Sequence, residues 1–147
     1  MRQIYMKKPK ISIIIIHYNT PQYLKTCLDS IFKQTYKNIE VIFIDNDSPS
    51  DDGLKYVEAH YSDRDNLIIV PNEDNLGYAK AANQGIDMAI KRKDPADYVV
   101  ITNPDIIYSP SYFEKIVHRM EKDRHIASAT GKVLKYDFEN KRATDII

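Results

Sequence analysis

The sequence predicts an α/β fold, an open and mainly parallel sheet with helices on its faces. Three observations carry this. Apolar, β-rich runs alternate with stretches of helical periodicity, the pattern of βαβ units. The first run, Ile11-Ser12-Ile13-Ile14-Ile15-Ile16, is almost unbroken and β-branched, as a strand covered on both faces requires. Each of the four main runs also gives way abruptly to Asn, Asp or His.

In chain order, Thr20-Pro21 offers an N-cap and a first-turn proline for a helix with Leu24, Cys27, Leu28, Ile31 and Phe32 on one face. Ile39 to Ile44 reads as a second buried strand. Leu54, Val57 and Tyr61 mark a short helix, and Leu67 to Val70 a third strand. Asn75-Leu76-Gly77 turns into a helix with Ala79, Ala82, Ile86, Ala89 and Ile90 on one side. Tyr98 to Ile101 forms the centre of a fourth strand. Ser109-Pro110 opens a helix carrying Phe113, Ile116, Val117 and Met120, and a weaker β signal runs from Ile126 to Tyr136. Lys135 to Ile147 alternates charges without a closing apolar element.

At 147 residues the chain reads as one domain, 1–147, able to bury roughly 70% of its unfolded surface. Lys plus Arg (21) balances Asp plus Glu (21), which argues against a nucleic-acid partner. One cysteine excludes a disulfide framework and a multi-cysteine zinc site, and Cys27 reads as a small core residue. No stretch approaches the ~20 apolar residues of a transmembrane helix. The basic N-terminus (Arg2, Lys7, Lys8, Lys10) lacks the apolar core of a leader. A cytoplasmic setting is therefore expected. The basic excess before residue 38 and the acidic excess over 45–74 read as solvated faces.

Open α/β sheets bind ligands beyond the carboxyl ends of their strands. There this chain has His17-Tyr18-Asn19, Asp45-Asn46-Asp47-Ser48, Asn72-Glu73-Asp74-Asn75 and Asn103-Pro104-Asp105. Each cluster taken singly is also ordinary turn chemistry. Neither G-x-G-x-x-G nor a P-loop is present, so phosphate recognition by a glycine-rich cradle loses its support. The acids that remain suit a base N–H, ribose hydroxyls, or a divalent cation that neutralises a diphosphate.

Four blocks in order carry a family resemblance: Ile11 to Asn19, Val41 to Asp51, Asn75 to Gly85, and Ile101-Thr102-Asn103-Pro104-Asp105. Together they resemble the family two glycosyltransferases, whose GT-A fold is a Rossmann-like open sheet. The resemblance implies transfer from a nucleoside diphosphate sugar to an acceptor hydroxyl by an inverting mechanism. The acceptor is expected to be a glycan or lipid-linked, in cell-wall or polysaccharide biosynthesis, with any membrane association peripheral. It also implies that His17, Tyr18 and Asn19 line the base, and that Asp45 accepts from its imide N–H. Gly77 and the following helix should lie near ribose and diphosphate, with Lys80 as a compensating cation. Asp105 matches the last carboxylate of the family's D-x-D, which ligates Mg2+ or Mn2+. Asp47 and Asp51 read as turn and helix-capping residues.

Two departures stand out. Asn103 replaces the first aspartate of D-x-D; this N-P-D form resembles the rhamnosyltransferase-like branch, implying a deoxythymidine or uridine diphosphate sugar. The family's catalytic base lies well beyond D-x-D, in an acceptor-binding half expected to follow residue 147. Asp137 and Glu139 come too early, so no base is assigned.

Two other readings compete. Asp45-Asn46-Asp47 mimics the nucleophile and acid of haloacid-dehalogenase-type phosphatases, although Pro49 stands where Thr or Val is wanted. A non-catalytic nucleotide-binding module is the other.

Overall fold

The computed structural model describes residues 8–137, 139–140 and 142–144. Four parallel strands form the sheet: β1 (Ile11–His17), β2 (Ile39–Asp45), β3 (Leu67–Pro71) and β4 (Tyr98–Thr102), in the order β3-β2-β1-β4. The helices are α1 (Pro21–Phe32), α2 (Asp52–Tyr61), α3 (Tyr78–Ile90) and α4 (Tyr112–Lys122).

β1 pairs with a strand on either side, and every one of its residues is buried. That is why its sequence is a continuous apolar run rather than an alternation. The pleat sorts its side chains. Ile11, Ile13 and Ile15 pack with Leu24, Cys27, Leu28 and Ile31 of α1, Val57 of α2 and Phe113 of α4. Ile14 and Ile16 point the other way, into a smaller core with Ala81, Ala82 and Ala89 of α3. The result is three layers, helices over sheet over helix.

At the N-terminal edge Ser12 lies in register with Glu40, and its hydroxyl donates to that carboxylate at 2.9 Å. Arg92 (2.6 Å) and Lys10 (3.4 Å) neutralise Glu40 there. Charge is thus satisfied at one end of the sheet, and chemistry is left for the other.

Three expectations need correction. Residues 126–134 form no strand; a two-stranded antiparallel ribbon, β5 (Lys135–Asp137) and β6 (Arg142–Thr144), begins later. Val133 and Leu134, which carried the β signal, are exposed and have no neighbouring strand to pair with among the described residues. Thr20 sits at the N-cap of α1 but makes no side-chain capping bond. Its N–H is drawn instead to His17 Nε2 at 3.1 Å. α4 starts at Tyr112, behind Ser111 rather than at Ser109-Pro110. The Pro110 carbonyl is taken by Thr35 N at 2.9 Å, which ties the segment to the end of α1. No helix among the described residues is long and apolar enough to cross a membrane.

Candidate functional site

Because all four strands run parallel, the turns that follow them gather at one rim. There Tyr18, Thr20, Asn46, Asn75, Asn103 and Asp105 line a cavity of about 330 Å3. A second cleft, about 830 Å3, extends from the end of β4 toward residues 130–136 and shares Tyr23, Tyr78, Asn103 and Asp105 with the first.

A chain of amides builds the β3–α3 side. Asn46 Nδ2 donates to Asn75 Oδ1 (2.9 Å), while Asn46 Oδ1 accepts from Asn72 Nδ2 (3.1 Å) and Leu76 N (3.2 Å). Asn72 and Gln84 exchange reciprocal amide bonds at 2.9 and 3.1 Å. Asn75 Oδ1 also accepts from Gly77 N at 2.9 Å. Gly77 has φ 73° and ψ 161°, a backbone open essentially to glycine alone, and this turn delivers the first residue of α3 to the cavity.

On the β1–β2 side, two left-handed residues, Asn19 (φ 53°) and Asp47 (φ 61°), shape the turns. Asn19 N donates to Ser48 Oγ at 2.9 Å and so ties one turn to the other. After β4, Pro104 is buried and fixes one φ between the exposed Asn103 and Asp105. This segment is backed by Cys27, whose Sγ lies 3.9 Å from the Asn103 carbonyl. It is backed also by Tyr108, whose hydroxyl donates to Thr102 Oγ1 at 2.9 Å. Burial pushes the Tyr108 phenol up to about 12, so it stays a donor.

The residues singled out from the sequence separate here. Tyr18, Asn103 and Asp105 line the cavity. Gly77 lies between two lining residues, Asn75 and Tyr78. His17 does not reach it: its ring is wholly buried, which corrects the expectation that its side chain lines a base. Asp45 is on the same rim but 6% exposed. Its Oδ1 meets His17 Nδ1 (2.7 Å) and Ser48 Oγ (2.7 Å), and its Oδ2 accepts from Ser48 N (3.2 Å). Asn19 and Lys80 are exposed and outside the lining. Asp51 occupies the α2 N-cap without a side-chain capping bond and pairs with Lys55 at 3.3 Å. Asp137 is spent on its own turn, where bonds from Asn140 hold its carboxyl below the usual range. Thr20, Asn46 and Asn75 also line the cavity and carry no sequence-based site role; the signal available was the place of Asn46 and Asn75 in the polar clusters after the strands, and of Thr20 next to one.

No three His, Cys, Asp or Glu side chains converge among the described residues. The cavity offers one carboxylate, Asp105, beside the Asn103 amide. That set fits a hard divalent cation completing its shell with diphosphate oxygens and water, and does not fit a cage holding a cation by itself.

Residues 12–146 match the family model described as glycosyl transferase family 2. The chain belongs to that family. Among its relatives, an uncharacterised glycosyltransferase of Haemophilus influenzae is 34% identical over 133 residues, covering 90% of this chain and 39% of the relative. The amylovoran biosynthesis glycosyltransferase AmsE of Erwinia amylovora is 31% identical, covering 88% of this chain and 47% of that one. The chain therefore spans less than half the length of either relative. The mannosyltransferase PcManGT of Pyrobaculum calidifontis, solved with GDP-Man and Mn2+, superposes with a TM-score of 0.66 at 22% identity, over 78% of this chain and 33% of its own. The fold is GT-A, a mainly parallel sheet with flanking helices. Family membership, together with an Asp45 carboxylate that is buried and held by His17 and Ser48, leaves the phosphatase reading without support.

Proposed function

We propose that the rim cavity binds a nucleoside diphosphate sugar, and that residues 1–147 form the donor-binding part of an inverting glycosyltransferase. One observation carries the reading: Asp105, Asn103, Asn46 and Thr20, delivered by three different strand ends, line a single cavity beside the first turns of α1 and α3. Helix N-termini favour anions, and one free carboxylate beside them suits a metal-bridged diphosphate.

In that reaction the acceptor hydroxyl oxygen bonds to the anomeric carbon as the carbon–diphosphate oxygen bond breaks. The diphosphate leaves with the electron pair, and the acceptor proton passes to a base. Asp105 and the Asn103 amide are the residues that would hold Mg2+ or Mn2+, which supplies charge against the negative charge building on the diphosphate. Pro104 stiffens their presentation. Tyr18 offers a ring to the base, and Asp45 an acceptor for its imide. Asn19, Gly77 and Lys80 are assigned to the edges of the nucleotide site. A uridine or deoxythymidine donor is supported by the N-P-D likeness to the rhamnosyltransferase-like branch. A glycan or lipid-linked acceptor in polysaccharide biosynthesis is supported by the amylovoran relative.

The test is calorimetric titration of the chain with UDP, dTDP and GDP, with and without Mn2+. Binding is expected to require the metal, and Asp105→Ala is expected to weaken it at least about tenfold, about 1.4 kcal/mol. Binding indifferent to both metal and substitution removes Asp105 from the site.

A further inference from the structure

We propose that His17 is the positioning residue of the donor site, held as its Nδ1–H tautomer so that one imidazole fixes both Asp45 and the start of α1. The inference rests on reading the rim as that site.

The partners assign the proton. His17 Nε2 lies 3.1 Å from Thr20 N, and a backbone N–H can only donate, so Nε2 is the acceptor and carries no hydrogen. The hydrogen is then on Nδ1, which donates to Asp45 Oδ1 at 2.7 Å. The Nε2–H tautomer and the imidazolium would both set one donor against another at Thr20. Asp45 is therefore not buried against a fixed cation; its partner is a neutral ring oriented by the backbone.

The ring is tightly packed, and its two hydrogen bonds choose between the two flipped placements that fill the same space. It stacks on Phe43 with centroids 5.6 Å apart, and α2 approaches it through Gly53, where a Cβ would lie 2.3 Å from His17 Cε1. Ser48 completes the clamp, its hydroxyl donating to Asp45 Oδ1 while accepting from Asn19 N. Oδ1 thus takes two donors and Oδ2 only Ser48 N, at 3.2 Å. An ionised carboxylate oxygen accepts about two bonds, so Oδ2 keeps one for an incoming N–H. Through its two nitrogens His17 also sets the spacing between the β1–α1 turn, which carries Tyr18 and Thr20 to the cavity, and the β2–α2 turn, which carries Asn46.

Two substitutions separate the nitrogens. In His17→Asn the amide nitrogen can take the place of Nδ1 and still donate to Asp45. In His17→Gln the terminal group reaches the Nε2 position and serves Thr20 but not Asp45. The probe is whichever of UDP, dTDP or GDP the wild-type chain binds most tightly with Mn2+. His17→Asn is expected to stay within about threefold of wild type, and His17→Gln to lose about tenfold or more, with both melting cooperatively. Imidazole nitrogen NMR of the wild-type chain should show a protonated Nδ1 and a bare Nε2. An Nε2–H tautomer, a His17→Gln variant that binds like wild type, or equal losses in both variants would overturn the proposal. A wild-type chain that binds none of the three diphosphates instead sinks the donor-site reading, while the NMR pattern still decides the clamp.

Discussion

Thr20 is an anomaly among the residues of the rim. Its Oγ1 is shut off from solvent and has no hydrogen-bond partner among the described residues, although it belongs to a residue lining the cavity. A buried hydroxyl without a partner loses its hydration for nothing, whereas an isosteric apolar group does not. Thr20→Val is therefore expected to leave stability unchanged or raise it by about 1 kcal/mol, read as the urea midpoint. A fall of that size would mean the hydroxyl is satisfied after all. Residues of this kind mark where the sequence stops being readable. Tyr18, Asn103 and Asp105 could be picked out because each lies within three residues of a strand end, and parallel strands bring their ends together. That His17 would turn inward while Tyr18 faces out needs the parity of β1 and its register against Asp45, and the last residue of a strand tells neither. The pairing of Asn46, Asn72, Asn75 and Gln84 depends on three separate segments meeting, which no local pattern encodes.

Among the elements, α3 approaches the sheet most closely through small residues. Gly85 faces β1, and a Cβ there would sit 2.5 Å from Ile14 Cγ2 in a fully buried strand. Gly85→Ala should cost about 1–3 kcal/mol through overpacking, measured by chemical denaturation. Gly77→Ala meets nothing within 4 Å and should cost a similar amount, about 1–3 kcal/mol, through its φ of 73° alone. A larger residue at 85 would worsen the first defect, while at 77 side-chain size should hardly matter beyond alanine. The helices α1 and α2 are joined differently, through the carboxylate of Asp29 and the hydroxyl of Tyr61. Asp29 accepts from Lys25 (2.9 Å), Tyr61 (2.9 Å) and Lys33 (3.4 Å). The Lys25 bond, helped by the others against partial burial, holds its carboxyl below the usual range. A lowered folded value means this contribution is present above the usual carboxylate range and is lost as pH falls through the lowered one. Asp29→Asn should lower the neutral plateau of a stability–pH curve and leave its acid end little changed, so that the acid limb flattens. Helices and strands of this core were legible because periodicity follows from burial on one face or two. Residues 126–134 depart from the expected strand because Val133 and Leu134 are apolar without being buried, and apolarity predicts a strand only where a neighbour pairs with it.

On the scale of the whole molecule, the sole cysteine links the core to the rim. Cys27 lies on α1 with no exposed surface, and its Sγ sits 3.9 Å below the Asn103 carbonyl. Burial, reinforced by the charge of Asp105, pushes its thiol up to about 12. Only the thiolate is nucleophilic, so near neutral pH the native protein should resist alkylation until it opens. Two openings are conceivable. Lifting of the Asn103–Asp105 segment would bare the thiol locally, and its rate would hardly respond to urea. Leu24, Leu28 and Ile31 surround Cys27 on the same buried face of α1, however, and share a core with β1 and α4. Exposing the sulfur therefore requires that face to leave the sheet, and labelling should accelerate with urea along the slope of global unfolding. The same thiol then reports on the site. A ligand that binds only the folded state slows labelling by 1 + [L]/Kd, about a hundredfold at 100 Kd. UDP with Mn2+ should protect Cys27 to the extent set by the calorimetric Kd, and Asp105→Ala should cut that protection about tenfold while leaving the unliganded labelling rate within about threefold, as expected for an exposed carboxylate. A labelling rate insensitive to urea would place the opening at the Asn103–Asp105 segment and uncouple that segment from the core beneath it.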